Sequence, residues 1–112
     1  MNDSSTAAID MFIVFLRFSI NKTMAAELMP GHNAWIARGI EDGVFLVVGS
    51  LQPALGGVVL AHGIRRADLE SRITEDPFVA NDVVKAEVFE VSPAKADPRL
   101  SFLIDAVGRA SP

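Results

Sequence analysis

Residues 30–62, PGHNAWIARGIEDGVFLVVGSLQPALGGVVLAH, contain a helix and two strands in direct succession, and this succession decides the fold. Pro30 suits the first position of a helix, because its missing N–H would have no partner there. Gly43 is a typical residue just past a helix end, so the pattern predicts a helix over 30–42. The rest of the stretch is two apolar runs joined by a loop with glycine and proline, which predicts two neighbouring antiparallel strands.

The flanking sequence extends this pattern to strand, helix, strand, strand, helix, strand. That order is typical of an α+β ferredoxin-like βαββαβ sandwich, with a four-stranded antiparallel sheet and two helices on one face. Residues 1–10 are expected to form a disordered tail, 11–92 the domain, and 93–112 a C-terminal extension. The extension carries a short third helix that Asp97 can cap. The predicted strands are 11–19, 44–48, 57–62 and 83–91, and the predicted helices are 30–42, 66–74 and 98–107.

Composition excludes several classes of function. The chain has no cysteine, so it has no disulfide, no thiolate catalysis and no Cys-ligated zinc, and the cytoplasm is the expected compartment. Its net charge is -4, and no basic cluster exceeds Arg65-Arg66, so nucleic acid is not an expected partner. Apolar runs are shorter than the ~20 residues of a membrane span. His32 and His62 lack a ligand-like spacing, so neither a metal nor a cofactor is expected.

Both faces of the predicted sheet are apolar. Residues 11–19 and 44–48 place apolar side chains on both sides, whereas two helices can cover only one. A large uncovered apolar face is seldom left to water. We therefore expect a homodimer packed sheet to sheet, since the closed two-fold arrangement is the commonest for small chains.

His32 and Asp76 are the candidate catalytic residues. Helical spacing places His32 on the sheet-facing stripe of Trp35 and Gly39, and the topology brings it to the same end of the molecule as Asp76-Pro77. Histidine titrates near neutrality, and a carboxylate on its second ring nitrogen would orient it for proton transfer. Two alternatives stay open: a lone histidine on an apolar helix face is often structural, and Asp-Pro begins a short helix anywhere.

Three further residues are expected to bind a substrate near this pair. Trp35 and Phe78 would supply apolar walls, and Ser50 ends the second strand at the same end of the molecule. Each has an ordinary structural alternative, because aromatic residues are most often core and a strand-end serine is often solvated. His62 is expected at the opposite end.

An ordered set of motifs spanning residues 11–91 resembles the YciI-like (YCII-related) family. The motifs are His32-x-x-Trp35-Ile36-x-x-Gly39-x-x-x-Gly43-Val44-Phe45-Leu46-x-x-Gly49-Ser50, then Gly56-Gly57-Val58-Val59-Leu60, then Asp76-Pro77-Phe78. The resemblance implies a dimeric α+β barrel whose histidine and aspartate, here His32 and Asp76, suggest an enzyme. Some related proteins are similar to muconolactone isomerases or eliminate hydrogen chloride from chlorinated hydroxylated aromatics. The chain departs from the family pattern in Arg65-Arg66 and in a longer C-terminal extension.

Residues and resemblance together favour a small cofactor-free enzyme of the lyase or isomerase type. His32 would move a proton on a small cyclic or aromatic substrate, and Asp76 would orient its imidazole. A second hypothesis is a non-catalytic dimeric domain that binds a small ligand or serves as an accessory. A third treats the His-Asp pair as a purely structural hydrogen bond.

Overall fold

The computed structural model describes residues 10–105. Residues 1–9 of the predicted tail and 106–107 of the predicted third helix lie outside this range. The strands are β1 Met11–Phe18, β2 Phe45–Leu51, β3 Gly56–Ala61 and β4 Val84–Val91. The helices are α1 Ala25–Glu41, α2 Arg66–Thr74, α3 Pro77–Ala80 and α4 Phe102–Asp105, with 3-10 turns at Lys22–Met24 and Pro98–Leu100.

The four strands form one antiparallel sheet in the order β2-β3-β1-β4. The two middle strands, β1 and β3, are therefore the first strand of each βαβ half, and α1 and α2 lie against the same face. This arrangement confirms the predicted ferredoxin-like α+β fold. Among the described residues, no helix is long and apolar enough to cross a membrane.

Helix α1 begins five residues earlier than predicted, at Ala25 instead of Pro30. Pro30 lies inside the helix, where it cannot donate a hydrogen bond to the preceding turn. The helix nevertheless continues, because the 3-10 turn before it starts the winding, and Met24, Ala25 and Leu28 pack against the core. Burial of this first turn therefore outweighs one missing hydrogen bond.

The predicted third helix is shorter and interrupted. Residues 98–100 form a 3-10 turn, and only 102–105 are α-helical within the described chain. Asp97 caps the turn as predicted, since its side chain accepts a hydrogen bond from the Arg99 N–H at 2.9 Å. Leu103 and Ile104 are buried. The short helix therefore packs against the domain through these two residues.

The core lies between the sheet and the helices. Alternate residues of β1 point into it, and Phe12, Val14 and Leu16 are buried, as a strand with one covered face requires. Gly39 lets α1 approach β2 closely, since a Cβ there would lie only 2.1 Å from the Phe45 ring. Gly39 lies on the sheet-facing side of the helix, as helical spacing predicted.

The opposite sheet face is uncovered in the single chain and mostly apolar, with the charged side chains of Arg17, Lys85 and Glu87 towards one end. Val47 is 58% exposed and Phe89 46% exposed, and the Phe15 and Phe89 rings meet edge to face with centroids 5.6 Å apart. Strand register places Leu60 in the same row as Val47 and Ile13. The face therefore has the apolar character on which the dimer prediction depends.

Candidate active site

His32 and Asp76 meet at one end of the molecule. His32 projects from α1, and Asp76 precedes α3. The His32 Nδ1 lies 2.8 Å from the Asp76 Oδ1, although 44 residues separate them in the sequence. The Asp76 side chain is fully buried, whereas that of His32 is 13% exposed. The topological expectation that these two residues meet is therefore correct.

Local backbone geometry holds Asp76 in place. It is the N-cap residue of α3, with Pro77 in the first turn, and its Oδ1 accepts a hydrogen bond from the Phe78 N–H at 3.0 Å. Its Oδ2 is buried and has no hydrogen-bond partner among the described residues. The N–H groups of Phe78 and His32 thus supply the hydrogen bonds of this buried acid.

The His32 ring is held by stacking as well as by Asp76. Its plane lies parallel to the Phe78 ring, at an angle of 2° and a centroid distance of 3.9 Å. Gly31 allows this approach of α1 to α3, because a Cβ there would lie 3.1 Å from the Pro77 Cγ. Two independent contacts, one on the ring face and one on its edge, therefore restrict the orientation of the imidazole.

The Asp76 contact also decides which ring nitrogen is free. When Asp76 is ionised, its carboxylate only accepts hydrogen bonds, so Nδ1 is the donor and the lone pair of a neutral imidazole lies on Nε2. Nε2 has no hydrogen-bond partner among the described residues. His32 also lines a cavity. The geometry therefore leaves an imidazole base available beside that cavity.

The cavity has a volume of about 320 Å³ and a mostly apolar lining. None of the described residues that line it is Lys, Arg, Asp or Glu, and its polar side chains are His32, Asn33 and Ser50. Neither Asn33 nor Ser50 has a side-chain hydrogen bond within the described chain. The apolar side chains include Leu16, Phe18, Met29, Ile36, Val48 and Phe78.

Of the three predicted substrate-binding residues, Phe78 and Ser50 line this cavity, and Trp35 does not. Trp35 is fully buried, its indole N–H donates to the Arg72 carbonyl at 2.9 Å, and it packs edge-on against Phe45. Its ring also stacks on the His32 ring, with centroids 6.0 Å apart and 23° between the planes, so Trp35 is a core residue that lies behind the histidine. Sequence reasoning missed Asn33, and its only signal was its place beside His32 on the helix.

His62 lies apart from this site. It follows β3 and contacts the Phe102 ring, with centroids 5.2 Å apart. Partial burial lowers the pKa of His62 below its ordinary value. Arg65 and Arg66 form surface ion pairs, with Asp68 at 3.5 Å and with Glu70 at 3.1 Å. The basic pair is therefore a surface feature near α2.

The fold and the site define a small ferredoxin-like α+β domain with a His-Asp pair beside an apolar cavity. No protein-family model matches the sequence, and no curated protein sequence gives a significant match. The structure is similar to the 5-chloro-2-hydroxyhydroquinone dehydrochlorinase TftG from Burkholderia phenoliruptrix AC1100, solved in complex with 2,5-dihydroxybenzoquinone.

That similarity has a TM-score of 0.59 at 14% sequence identity, and it covers 70% of this chain and 90% of TftG. At so low an identity it shows a shared fold alone. It supports the α+β fold on which the resemblance to YciI-like proteins depends. Membership of that family stays a prediction.

Proposed function

We propose that this protein is a small enzyme in which His32 acts as a general acid and base. The reaction class is proton transfer in a lyase or isomerase reaction on a small cyclic or aromatic substrate. The main support is that the two nitrogens of the His32 ring have different environments. Nδ1 is hydrogen-bonded to the buried Asp76, whereas Nε2 has no hydrogen-bond partner among the described residues, and the ring lines the cavity. That arrangement is the one a histidine base requires.

Asp76 serves as the orienting residue in this proposal. Its carboxylate fixes the tautomer with the proton on Nδ1 and stabilises the imidazolium that forms when Nε2 takes a proton from the substrate. The apolar lining strengthens this electrostatic effect, because it offers few polar groups to screen the charges. Phe78 holds the ring in plane, so Nε2 meets successive substrates in the same position.

The substrate class follows from the size and lining of the cavity. A volume of about 320 Å³ lies at the lower end of the range for small-molecule sites, and suits a single substituted ring. Ser50 and Asn33 offer hydrogen bonds to oxygen substituents on such a ring. TftG, by its name, removes hydrogen chloride from a chlorinated hydroxylated ring, and that elimination also involves loss of a proton.

The test is a search for His32-dependent proton chemistry. Hydroxylated quinones, 5-chloro-2-hydroxyhydroquinone and unsaturated lactones are incubated with the protein in D2O, and deuterium incorporation and chloride release are followed by NMR and ion chromatography. We expect His32→Ala to abolish turnover, and His62→Ala, which removes the histidine outside the site, to retain it. Circular dichroism melting confirms that both variants fold.

Two outcomes would contradict the proposal. Full turnover by the His32→Ala protein would remove His32 from the chemistry. Binding of ring compounds with no turnover by the wild type would favour the non-catalytic ligand-binding domain, for which the same cavity would serve. A structural pair alone predicts that His32→Ala loses stability and that the cavity binds none of these compounds.

We also propose that the uncovered sheet face joins two copies of the chain. Beside the charged residues Arg17, Lys85 and Glu87, the face presents an apolar surface that includes Ile13, Phe15 and Leu60, with Val47 and Phe89 strongly exposed. Sedimentation equilibrium should give a dimer for the wild type and a monomer for Val47→Lys. The matched change Ile40→Lys, at an exposed position of α1, should leave the dimer intact. A monomeric wild type would refute this proposal.

A further inference from the structure

The two adjacent glycines at the start of β3 serve different purposes. Gly56 adopts a φ of +134°, and a Cβ there would lie 1.9 Å from the Leu16 carbonyl oxygen, so its backbone position demands glycine. Gly57 has no positive φ. A Cβ at Gly57 would meet only the Gly49 carbonyl oxygen, at 3.4 Å, which is an ordinary contact. Neither conformation nor crowding explains the second glycine.

Strand register places Gly57 in the cavity floor. It pairs with Leu16 on β1 and with Ser50 on β2, so all three occupy one row on the helix-facing side of the sheet. Below this row the neighbouring positions Val14, Val59 and Val48 carry branched side chains. At Gly57 the row is interrupted, and the cavity reaches the backbone of β3.

A glycine inside a strand weakens the sheet, because it adds conformational freedom to the unfolded chain and contributes no packing. Strand glycines commonly mark a place where a ligand approaches the backbone closely. Here the space above the glycine opens into the cavity that His32 lines. A side chain at position 57 would stabilise the strand, and its Cβ would fit there, yet the chain carries glycine.

We infer that Gly57 is a specificity-determining residue, and that the substrate ring lies in the space its missing side chain leaves against β3. This inference rests on the proposed function. The ring contacts the backbone of β3 on one side, and its edge faces His32, with Ser50 in hydrogen-bonding reach of a substituent. A side chain at position 57 would take the volume that the ring occupies.

Catechol, a neutral hydroxylated ring, serves as the probe, and its binding is measured by titration of amide NMR shifts. We expect Gly57→Val to weaken catechol binding by about tenfold or more, since a few methyl groups in a pocket have effects of that order. The same substitution should raise the melting temperature, because a β-branched residue replaces a strand glycine. Opposite signs for binding and stability are not expected from a merely structural glycine.

Ala86→Val is the matched control. Ala86 pairs with Leu16 from the other side, on β4, so it shares the row and the sheet face of Gly57 without lining the cavity. We expect this control to bind catechol as the wild type does. Gly57→Ala, with one added carbon, should give an intermediate loss.

Unchanged catechol binding by Gly57→Val would overturn the inference, as would a wild type that does not bind catechol at millimolar concentration. A lower melting temperature of Gly57→Ala would show that packing requires the glycine, and would also overturn it. The proposed function fails separately, through turnover retained by His32→Ala. The two failures are therefore distinguishable.

Discussion

Removing the charge of Asp76 should expose the strength of its bond with His32. Asp76 is fully buried, and its Oδ1 accepts hydrogen bonds from His32 at 2.8 Å and from Phe78 at 3.0 Å. Asp76→Asn keeps the shape of the side chain and an acceptor oxygen for both hydrogen bonds. A hydrogen bond to a charged group contributes ~1.5–3 kcal/mol, and a neutral one ~0.5–1.5 kcal/mol. Weakening each of the two bonds by about 1 kcal/mol costs ~2 kcal/mol, and the neutral amide recovers about 1 kcal/mol of the desolvation cost of the carboxylate, so we expect the free energy of unfolding to fall by about 1 kcal/mol.

The same substitution should have the opposite sign when His32 is absent. His32→Phe keeps an aromatic ring against Phe78 and removes both nitrogens, leaving the Asp76 carboxylate buried with one N–H partner. We expect this variant to lose about 3 kcal/mol. Asp76→Asn in that background removes an uncompensated buried charge, so it should stabilise the protein by about 1 kcal/mol. The coupling energy between the two sites is then about 2 kcal/mol.

The coupling energy is measured by a double-mutant cycle, in which the wild type, both single variants and the double variant are unfolded in urea. Trp35 is the only tryptophan in the sequence, and its burial makes its fluorescence a reporter of unfolding. Equal slopes of free energy against urea concentration show that the four proteins unfold alike. A coupling energy below about 0.5 kcal/mol is what independent sites give, and it would refute the interaction.

Two further predictions concern packing and pH. Gly39→Ala should lower the free energy of unfolding by about 2 kcal/mol, because the added Cβ would overlap the Phe45 ring. Gly49→Ala is the control, since a Cβ there meets open space and should leave the free energy of unfolding nearly unchanged. Equal urea midpoints for the two variants would contradict this prediction. Burial lowers the pKa of His62. The contribution of the neutral His62 ring to the free energy of unfolding is therefore complete above about pH 6.5, and it is lost as the pH falls through the lowered pKa. Amide hydrogen exchange at Leu103 and Ile104, corrected for intrinsic rates, should therefore accelerate between pH 7.5 and pH 5. We expect a larger acceleration in the wild type than in the His62→Gln variant. An identical acceleration in both proteins would argue against the contact with Phe102.

The order of strands and helices was predictable because it depends on local periodicity. A continuous apolar run marks β1, and Gly43, with a φ of +75°, ends α1 where the sequence indicates. The meeting of His32 and Asp76 was also predictable, because the direction of each element in a βαββαβ fold decides which residues share an end. The start of α1 was not, because the local effect of Pro30 was outweighed by burial of the turn before it.

Local patterns in the chain were enough to predict the fold class, the absence of cysteine chemistry, and the two residues that form the His-Asp pair. Tertiary structure alone decided what surrounds them. Whether an aromatic residue lines a cavity or lies behind it depends on distances between elements. Phe78 and Trp35 both stack on His32, at centroid distances of 3.9 and 6.0 Å, but only Phe78 lines the cavity. Likewise, only the three-dimensional structure separates the two glycines: Gly57 lies in the cavity floor, whereas Gly56 is required by its positive φ and by the nearby Leu16 carbonyl oxygen. Periodicity is a property of neighbours in the chain, whereas a cavity is a property of neighbours in space.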